Sequence, residues 1–214
     1  MFHCSLFFRI IELKILEIAK KEFMEQGYMN ASMRVIAEKS GCTTGMLYSR
    51  FADKNKIFSI LVKEGADKLL NGFKNKLDLF GNSTPKEQIS SMHSFSEQGM
   101  EDIMDIIYEY FDSFKLIVCY GFGSSYEHYV DNLVDMEVES SIKFMDVLRE
   151  EGYIVRNIRV DLCHMLASSL LNGIFETVAH DFGKDDAIEY VNSLQDFYAA
   201  GWDRLLGLKY DKEN

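Results

Sequence analysis

A single proline, Pro85, interrupts 214 residues. That scarcity excludes proline-rich linkers and leaves long helices free to run unbroken. Cysteine is nearly as sparse: Cys4, Cys42, Cys119 and Cys163 are scattered, with no CxxC and no Cys/His cluster of ligand spacing. Cys163 and His164 are neighbours and so point to different helix faces. This pattern predicts reduced thiols in a cytoplasmic protein, with no disulfide framework, no metal site and no cofactor. No apolar run approaches membrane-spanning length, so no membrane partner is expected. The N-terminal MFHCSLFFRI has an apolar SLFF patch but neither a basic region before it nor a small-residue cleavage site. It reads as a frayed or partly docked extension of the first helix rather than a signal peptide. Nucleophile elbow, phosphate-cradling glycine loop and HExxH are all missing. Cys119, Cys163, His164 and scattered carboxylates are the only ingredients left for an enzyme, and no catalytic residue is expected.

What is present is helical periodicity. Apolar residues recur at three- and four-residue spacing between breaks rich in Gly, Asn, Ser and Asp, with no alternating strand pattern, which predicts an all-α chain of about nine helices. The first is expected over residues 9–26, with Ile11, Ile15, Ile18, Ala19 and Phe23 on one stripe and Gly27 as C-cap. A second runs over 32–40, capped by Asn30, Ala31 or Ser32. Thr43 caps a third over 44–51, and Asp53 caps a long fourth over 54–80. Thr84, Pro85 and Glu87 form a capping box that opens a fifth helix. That helix is expected to run to about residue 97 and to break at Gly99. Later helices are expected over 100–120, 125–151 and 158–181, and from a cap at Asp185 to about 208.

The stretch 32–54, SMRVIAEKSGCTTGMLYSRFADK, organises the rest. Ala37 is small enough for a second helix to cross closely. Gly41 sits where the first must stop, and Leu47, six residues on, plugs the angle between them. Ile36, Cys42 and Phe51 complete the apolar contacts. This is the spacing of a helix-turn-helix whose second helix enters the DNA major groove. Thr43, Thr44, Gly45 and Met46 are small or polar enough to approach base edges, and a threonine or methionine methyl can meet a thymine methyl. Tyr48, one turn on, either reaches DNA or packs in the core. Ser32, Arg34, Ser49 and Arg50 are candidates for phosphate contact. Few Arg, Asn or Gln base readers sit on this helix, so shape and methyl contacts are expected to carry specificity.

Phe23, Gly27, Tyr28, Ile36-Ala37, Gly41, Gly45, Leu47-Tyr48, Phe51 and Lys54 stand in order and in register, and over about fifty residues this segment resembles the DNA-binding domain of the TetR/AcrR family of bacterial regulators. The resemblance implies a two-domain homodimer that binds a palindromic double-stranded DNA operator and releases it when a small molecule binds the body. Lys54 resembles the family's phosphate-contacting lysine. Three positions depart from the pattern. Ala31 stands where the family often has a capping Thr, a role open to Ser32. Cys42 replaces a common Val, and Ser49-Arg50 replaces a common His-Tyr pair.

The expected domains are therefore a helix-turn-helix head over 1–53 and a ligand-binding and dimerisation body over 54–214, linked by the fourth helix. Net charge is −11. Residues 1–56 carry +3 and the remainder −14, a distribution that orients the head toward DNA. Aromatics crowd the body, and Met92, Phe95, Tyr108, Phe111, Phe114, Tyr126, Tyr129, His164 and Phe175 are the expected lining of a pocket for a mainly apolar, aromatic or cationic effector. Stripes on helices 8 (Leu162, Leu166, Leu170, Gly173, Ile174, Thr177) and 9 (Ile188, Val191, Leu194, Tyr198, Trp202, Leu205) predict a homodimer through a four-helix bundle. The function expected is a ligand-responsive transcriptional repressor. The alternative is a ligand sensor or scaffold on the same fold that has lost its operator.

Overall fold

The computed structural model describes the backbone of residues 2–207 and the side chains of residues 9–207. Among the described residues every regular element is an α-helix: α1 (Phe2–Asn30), α2 (Met33–Ser40), α3 (Thr44–Arg50), α4 (Lys54–Asn82), α5 (Pro85–Glu109), α6 (Phe111–Tyr120), α7 (Tyr129–Glu150), α8 (Val160–Ala179) and α9 (Lys184–Leu206). The backbone of the N-terminal extension is thus part of α1, while the side chains of the SLFF patch and of Cys4 lie outside the described residues. Gly27, at φ 71° and ψ 159°, interrupts α1 where a C-cap is expected. Only glycine holds that conformation without strain.

The chain packs as two compact units. One comprises residues up to Asp67 together with Tyr110–Tyr129, and the other Lys68–Glu109 together with residues from Val130 on. Helix α6 and the start of α4 thus pack with α1–α3 in the first unit. In the first unit Ile15, Ala19 and Phe23 of α1, Ile36 of α2, Leu47 of α3, Phe58 and Val62 of α4 and Phe114 of α6 have essentially no exposed surface. Fully burying one such side chain contributes about 2 kcal/mol. Phe23, Tyr28 and Phe58 form an aromatic triangle with centroids 5.2–5.9 Å apart.

The break between α5 and α6 falls at Tyr110, not at Gly99, which lies within α5. The cause is tertiary. Tyr110 lies so close to α4 that a Cβ on Gly65 would stand 2.6 Å from its Cβ. The Tyr110 hydroxyl donates to Glu64 Oε1 at 3.0 Å, and Ser113 Oγ donates to the Leu61 carbonyl at 2.9 Å. These contacts hold Tyr110 at φ −117° and ψ 38°, outside the helical region.

In the second unit the core comes from Leu69 and Phe80 of α4, Met100, Met104 and Ile107 of α5, Leu133, Val134, Val138, Phe144 and Leu148 of α7, Leu171, Ile174 and Phe175 of α8, and Val191 of α9. Helix α9 packs on both α5 and α8. The Thr84–Glu87 capping box forms: Thr84 N–H donates to Glu87 Oε2 at 2.9 Å and Glu87 N–H to Thr84 Oγ1 at 3.4 Å. Three expectations are corrected. Residues 121–128 are turns, so α7 starts at Tyr129 rather than near 125. Gly183 rather than Asp185 occupies the N-cap of α9, leaving Asp185 in the first turn. Helix α8 is, by length and composition, apolar enough to cross a bilayer. Its buried Cys163, Ala167, Leu171, Ile174, Phe175 and Val178 make it a core helix of this unit.

Candidate functional site

The helix-turn-helix is built by local capping. Ser32 proves to be the N-cap of α2, its Oγ accepting from Val35 N–H at 3.4 Å. Buried Glu22 accepts from Ser32 N–H at 3.3 Å and from Lys39 Nζ at 3.1 Å, tying this cap to α1. Gly41, at φ 76°, stops α2 in the left-handed conformation. Thr43 then caps α3, its Oγ1 accepting from Met46 N–H at 3.2 Å. Leu47 is fully buried between the two helices and Ala37 nearly so.

The outward face of α3 is short, polar and open. Thr43, Thr44, Gly45, Tyr48 and Ser49 are exposed and Met46 is half-buried. Tyr48 has 48% of its surface exposed, so it is not a core residue. A Cβ on Gly45 would meet only Thr43 Oγ1, at 4.0 Å. The space beyond Gly45 is therefore empty, and a second molecule can come close to the backbone there. Ser49 Oγ donates to the Met46 carbonyl at 2.8 Å. Arg34 on α2 is exposed and makes no ion pair among the described residues.

Two expected phosphate contacts are occupied inside the head. Lys54 Nζ donates to the carbonyls of Tyr28, Met29 and Ala31 at 2.6, 3.0 and 3.3 Å. It also lies 4.6 Å from the centre of the Tyr28 ring. Burial pulls its pKa below the ordinary lysine value and, as the larger of two causes, pushes that of Tyr28 up. Arg50 turns back to Glu12 at 3.7 Å, with only 19% of its side chain exposed. Both residues hold the head together. Sequence reasoning passed over Lys56, exposed in the first turn of α4. Its N–H caps on Asp53 Oδ1 at 2.7 Å, and its place beside a helix N-terminus was the available signal.

The second unit encloses a cavity of about 560 Å³ between α4, α5, α7, α8 and α9. Phe73, Phe80, Phe95, Phe144, Trp202, Met92, Met100 and Leu171 give it apolar walls. Its lysines and histidine are committed to carboxylates: Lys68 to Glu109 at 2.6 Å, Lys76 to Asp102 at 2.8 Å and His93 to Asp203 at 3.4 Å. Asp105, also on the wall, pairs with Lys184 at 2.9 Å. Glu137 differs. It makes no ion pair among the described residues, and Ser141 Oγ donates to its Oε1 at 3.4 Å. Burial raises its pKa, with the Ser141 hydrogen bond opposing the shift. Glu137 is half-buried and lines the cavity.

Residues 15–60 match the family model described as bacterial regulatory proteins, tetR family. Over this segment the chain carries the DNA-binding domain of the TetR family. Its members are transcription regulators rather than enzymes. Over 56 residues the chain is 38% identical to the HTH-type transcriptional repressor AcnR of Corynebacterium efficiens, a match that spans 26% of this chain and only 30% of that one. Over 154 residues it is 26% identical to the HTH-type transcriptional repressor KstR2 of Mycobacterium tuberculosis, covering 71% of this chain and 72% of the relative. Among solved structures, a TetR-like transcriptional regulator from Rhodococcus sp. RHA1 superposes with a TM-score of 0.53 at 18% identity, covering 89% of this chain and 96% of that one. At that identity the likeness concerns the fold alone.

The cavity takes only Met92 and Phe95 from the nine residues proposed from sequence. Phe114 packs on Tyr129, with ring centres 6.2 Å apart, and Tyr126 packs beside Phe58, all in the first unit. Phe111 also belongs to that unit, on α6. The Tyr108 hydroxyl donates to the Phe182 carbonyl at 3.0 Å. Phe175 is core, and His164 faces outward, 3.7 Å from Asp135. Of the seven aromatics among those nine, only Phe95 lines the cavity, so crowding of aromatics along the sequence marked packing elsewhere more often than cavity. A better signal was available. On α7 the apolar stripe of Leu133, Val134, Val138, Phe144, Met145 and Leu148 includes Glu137 and Ser141 at helical spacing. On α4, Lys76 interrupts the stripe of Leu69, Phe73, Leu77 and Phe80 in the same way. A polar residue on a core-facing stripe needs a partner, and here both such interruptions line the cavity.

Proposed function

We propose that this chain is a ligand-responsive repressor that binds a palindromic operator as a homodimer and leaves it when a small, mainly apolar molecule enters the cavity. Its head, over residues 1–53, binds DNA. The body, over 54–214, binds the effector and the second subunit, with α4 common to both. The observation that carries this reading is the outward face of α3: Thr44, Gly45 and Tyr48 stand exposed and unobstructed on a helix whose other face is fully committed to the head. Thr44, Gly45, Met46 and Tyr48 read base edges and methyl groups, while Arg34, Ser49 and Lys56 meet phosphates. Lys54 and Arg50 act indirectly, by fixing the loop after α1 and the end of α3.

Dimerisation is proposed through α8 and α9, on a face narrower than the sequence stripes. Ile174, Thr177 and Val191 are buried within the subunit, and a Cβ on Gly173 would stand 2.7 Å from Leu194 Cδ2. Leu162, Met165 and Phe197 remain exposed, the last two by 65% and 72%. Such large apolar side chains favour a partner over water. Light scattering at micromolar concentration should report twice the chain mass; a monomer there refutes the interface. A soluble cytoplasmic location agrees with this role. Gel shift with DNA from upstream of the chain's own gene tests the reading as a whole. Binding by the wild type and its loss in Thr44→Ala and Tyr48→Ala support it, and no binding to any upstream fragment overturns it.

A further inference from the structure

We propose that the effector is an apolar molecule carrying one positively charged amine or ammonium group, and that Glu137 is the residue that binds this charge. The proposal rests on the effector-cavity reading above and specifies its ligand. Glu137 faces the cavity from α7, and its only partner among the described residues is the Ser141 hydroxyl at 3.4 Å. A half-buried carboxylate on a largely apolar cavity wall without a cation is unfavourable, and burial accordingly raises its pKa. A ligand cation relieves that cost when it enters.

The other charges on the cavity wall argue in the same direction. Lys76 is engaged by Asp102, and His93 by Asp203. Among the described residues an incoming anion thus finds these cations already facing carboxylates, with the buried Lys76 Nζ paired to Asp102 though without a hydrogen bond, and it meets a surplus of carboxylates. A neutral ligand leaves Glu137 either ionised without a partner or holding its proton. An ammonium group gains the ion pair with Glu137 and, around it, the faces of aromatic rings that attract cations. The cavity of about 560 Å³ is large enough for a drug-sized molecule.

Trp202, the chain's single tryptophan, lines the same cavity and reports its occupancy. The test titrates the full chain with decyltrimethylammonium, 1-decanol and decanoate, each below its micelle concentration, following Trp202 fluorescence. The ammonium compound should saturate the signal roughly tenfold or more tighter than decanol, with decanoate weakest. Glu137→Gln should abolish that preference while decanol binds as before. Equal or tighter binding of decanol or decanoate by the wild type overturns the proposal. So does undiminished ammonium binding by Glu137→Gln, or no Trp202 response to the ammonium compound. Operator binding by the wild type without any of these compounds is measured separately, so failure of the ligand assignment is distinguishable from failure of the regulator reading.

Discussion

Gly45 separates what the head needs for folding from what it needs for DNA. A Cβ there meets nothing nearer than 4.0 Å within the protein. Gly45→Ala should therefore leave the melting temperature unchanged or raise it, since alanine in a helix is favoured over glycine by about 0.5–1 kcal/mol. It should nevertheless weaken DNA binding tenfold or so, because the methyl occupies the space the groove edge requires. Unaltered affinity in a gel shift would place Gly45 away from the DNA. Lys54 makes the opposite case. Three carbonyls of the loop after α1 share its ammonium group. Lys54→Ala should lower stability by about 1–3 kcal/mol in urea denaturation, as expected when charge-assisted hydrogen bonds to partly buried carbonyls are lost. A stability matching the wild type would return Lys54 to the surface role its place in the family pattern suggests. At Glu137 the prediction concerns pH. Its folded-state pKa is raised above the unfolded value of 4.5, so the folded state binds the proton more tightly. Its contribution to stability is full below the unfolded pKa and is lost as pH rises through the folded one. Glu137→Gln should thus gain stability over the wild type as pH rises from 5 to 8. Thermal melts at several pH values check this, and a constant difference would contradict it.

At the scale of elements, α2 and α3 were legible in the sequence because their ends are local events. Ser32, Gly41 and Thr43 terminate or start helices through bonds to residues three or four away. Among the expected DNA contacts, the structure leaves the Thr44, Gly45 and Tyr48 face open but turns Lys54 and Arg50 inward, because their partners at Tyr28 and Glu12 are remote in sequence. The α5–α6 break was illegible for the same reason. Gly99 has the residue type of a break, whereas Tyr110 is bent by contact with Gly65, forty-five residues earlier in the chain. Gly65→Ala should test that contact. A methyl group there collides with the Tyr110 side chain, and overpacking of this kind costs about 1–3 kcal/mol. A denaturation midpoint equal to that of the wild type would show that the two helices separate freely. The cavity followed neither local caps nor aromatic density. It was marked instead by Lys76 and Glu137 interrupting apolar stripes on helices that meet only in the fold.

For the whole molecule, the distribution of charge matters more than its total. Residues 1–56 carry +3 within a chain of −11, and internal pairs reduce what they can offer DNA. Lys20 is held by Asp112, Lys39 by Glu22 and Arg50 by Glu12. Few cations are left for phosphates, so operator affinity should depend on salt less steeply than for proteins with many phosphate contacts. Much of the binding then has to come from the fit of α3 in the groove, doubled by the second subunit. The most direct test of the account is a footprint of the purified protein on DNA upstream of its own gene. One protected palindrome is expected, its half-sites about one helical turn, or a small multiple of it, apart. The protection should disappear with Tyr48→Ala. A featureless footprint, or protection that survives this substitution unchanged, would contradict the assignment of α3 as the element that reads DNA.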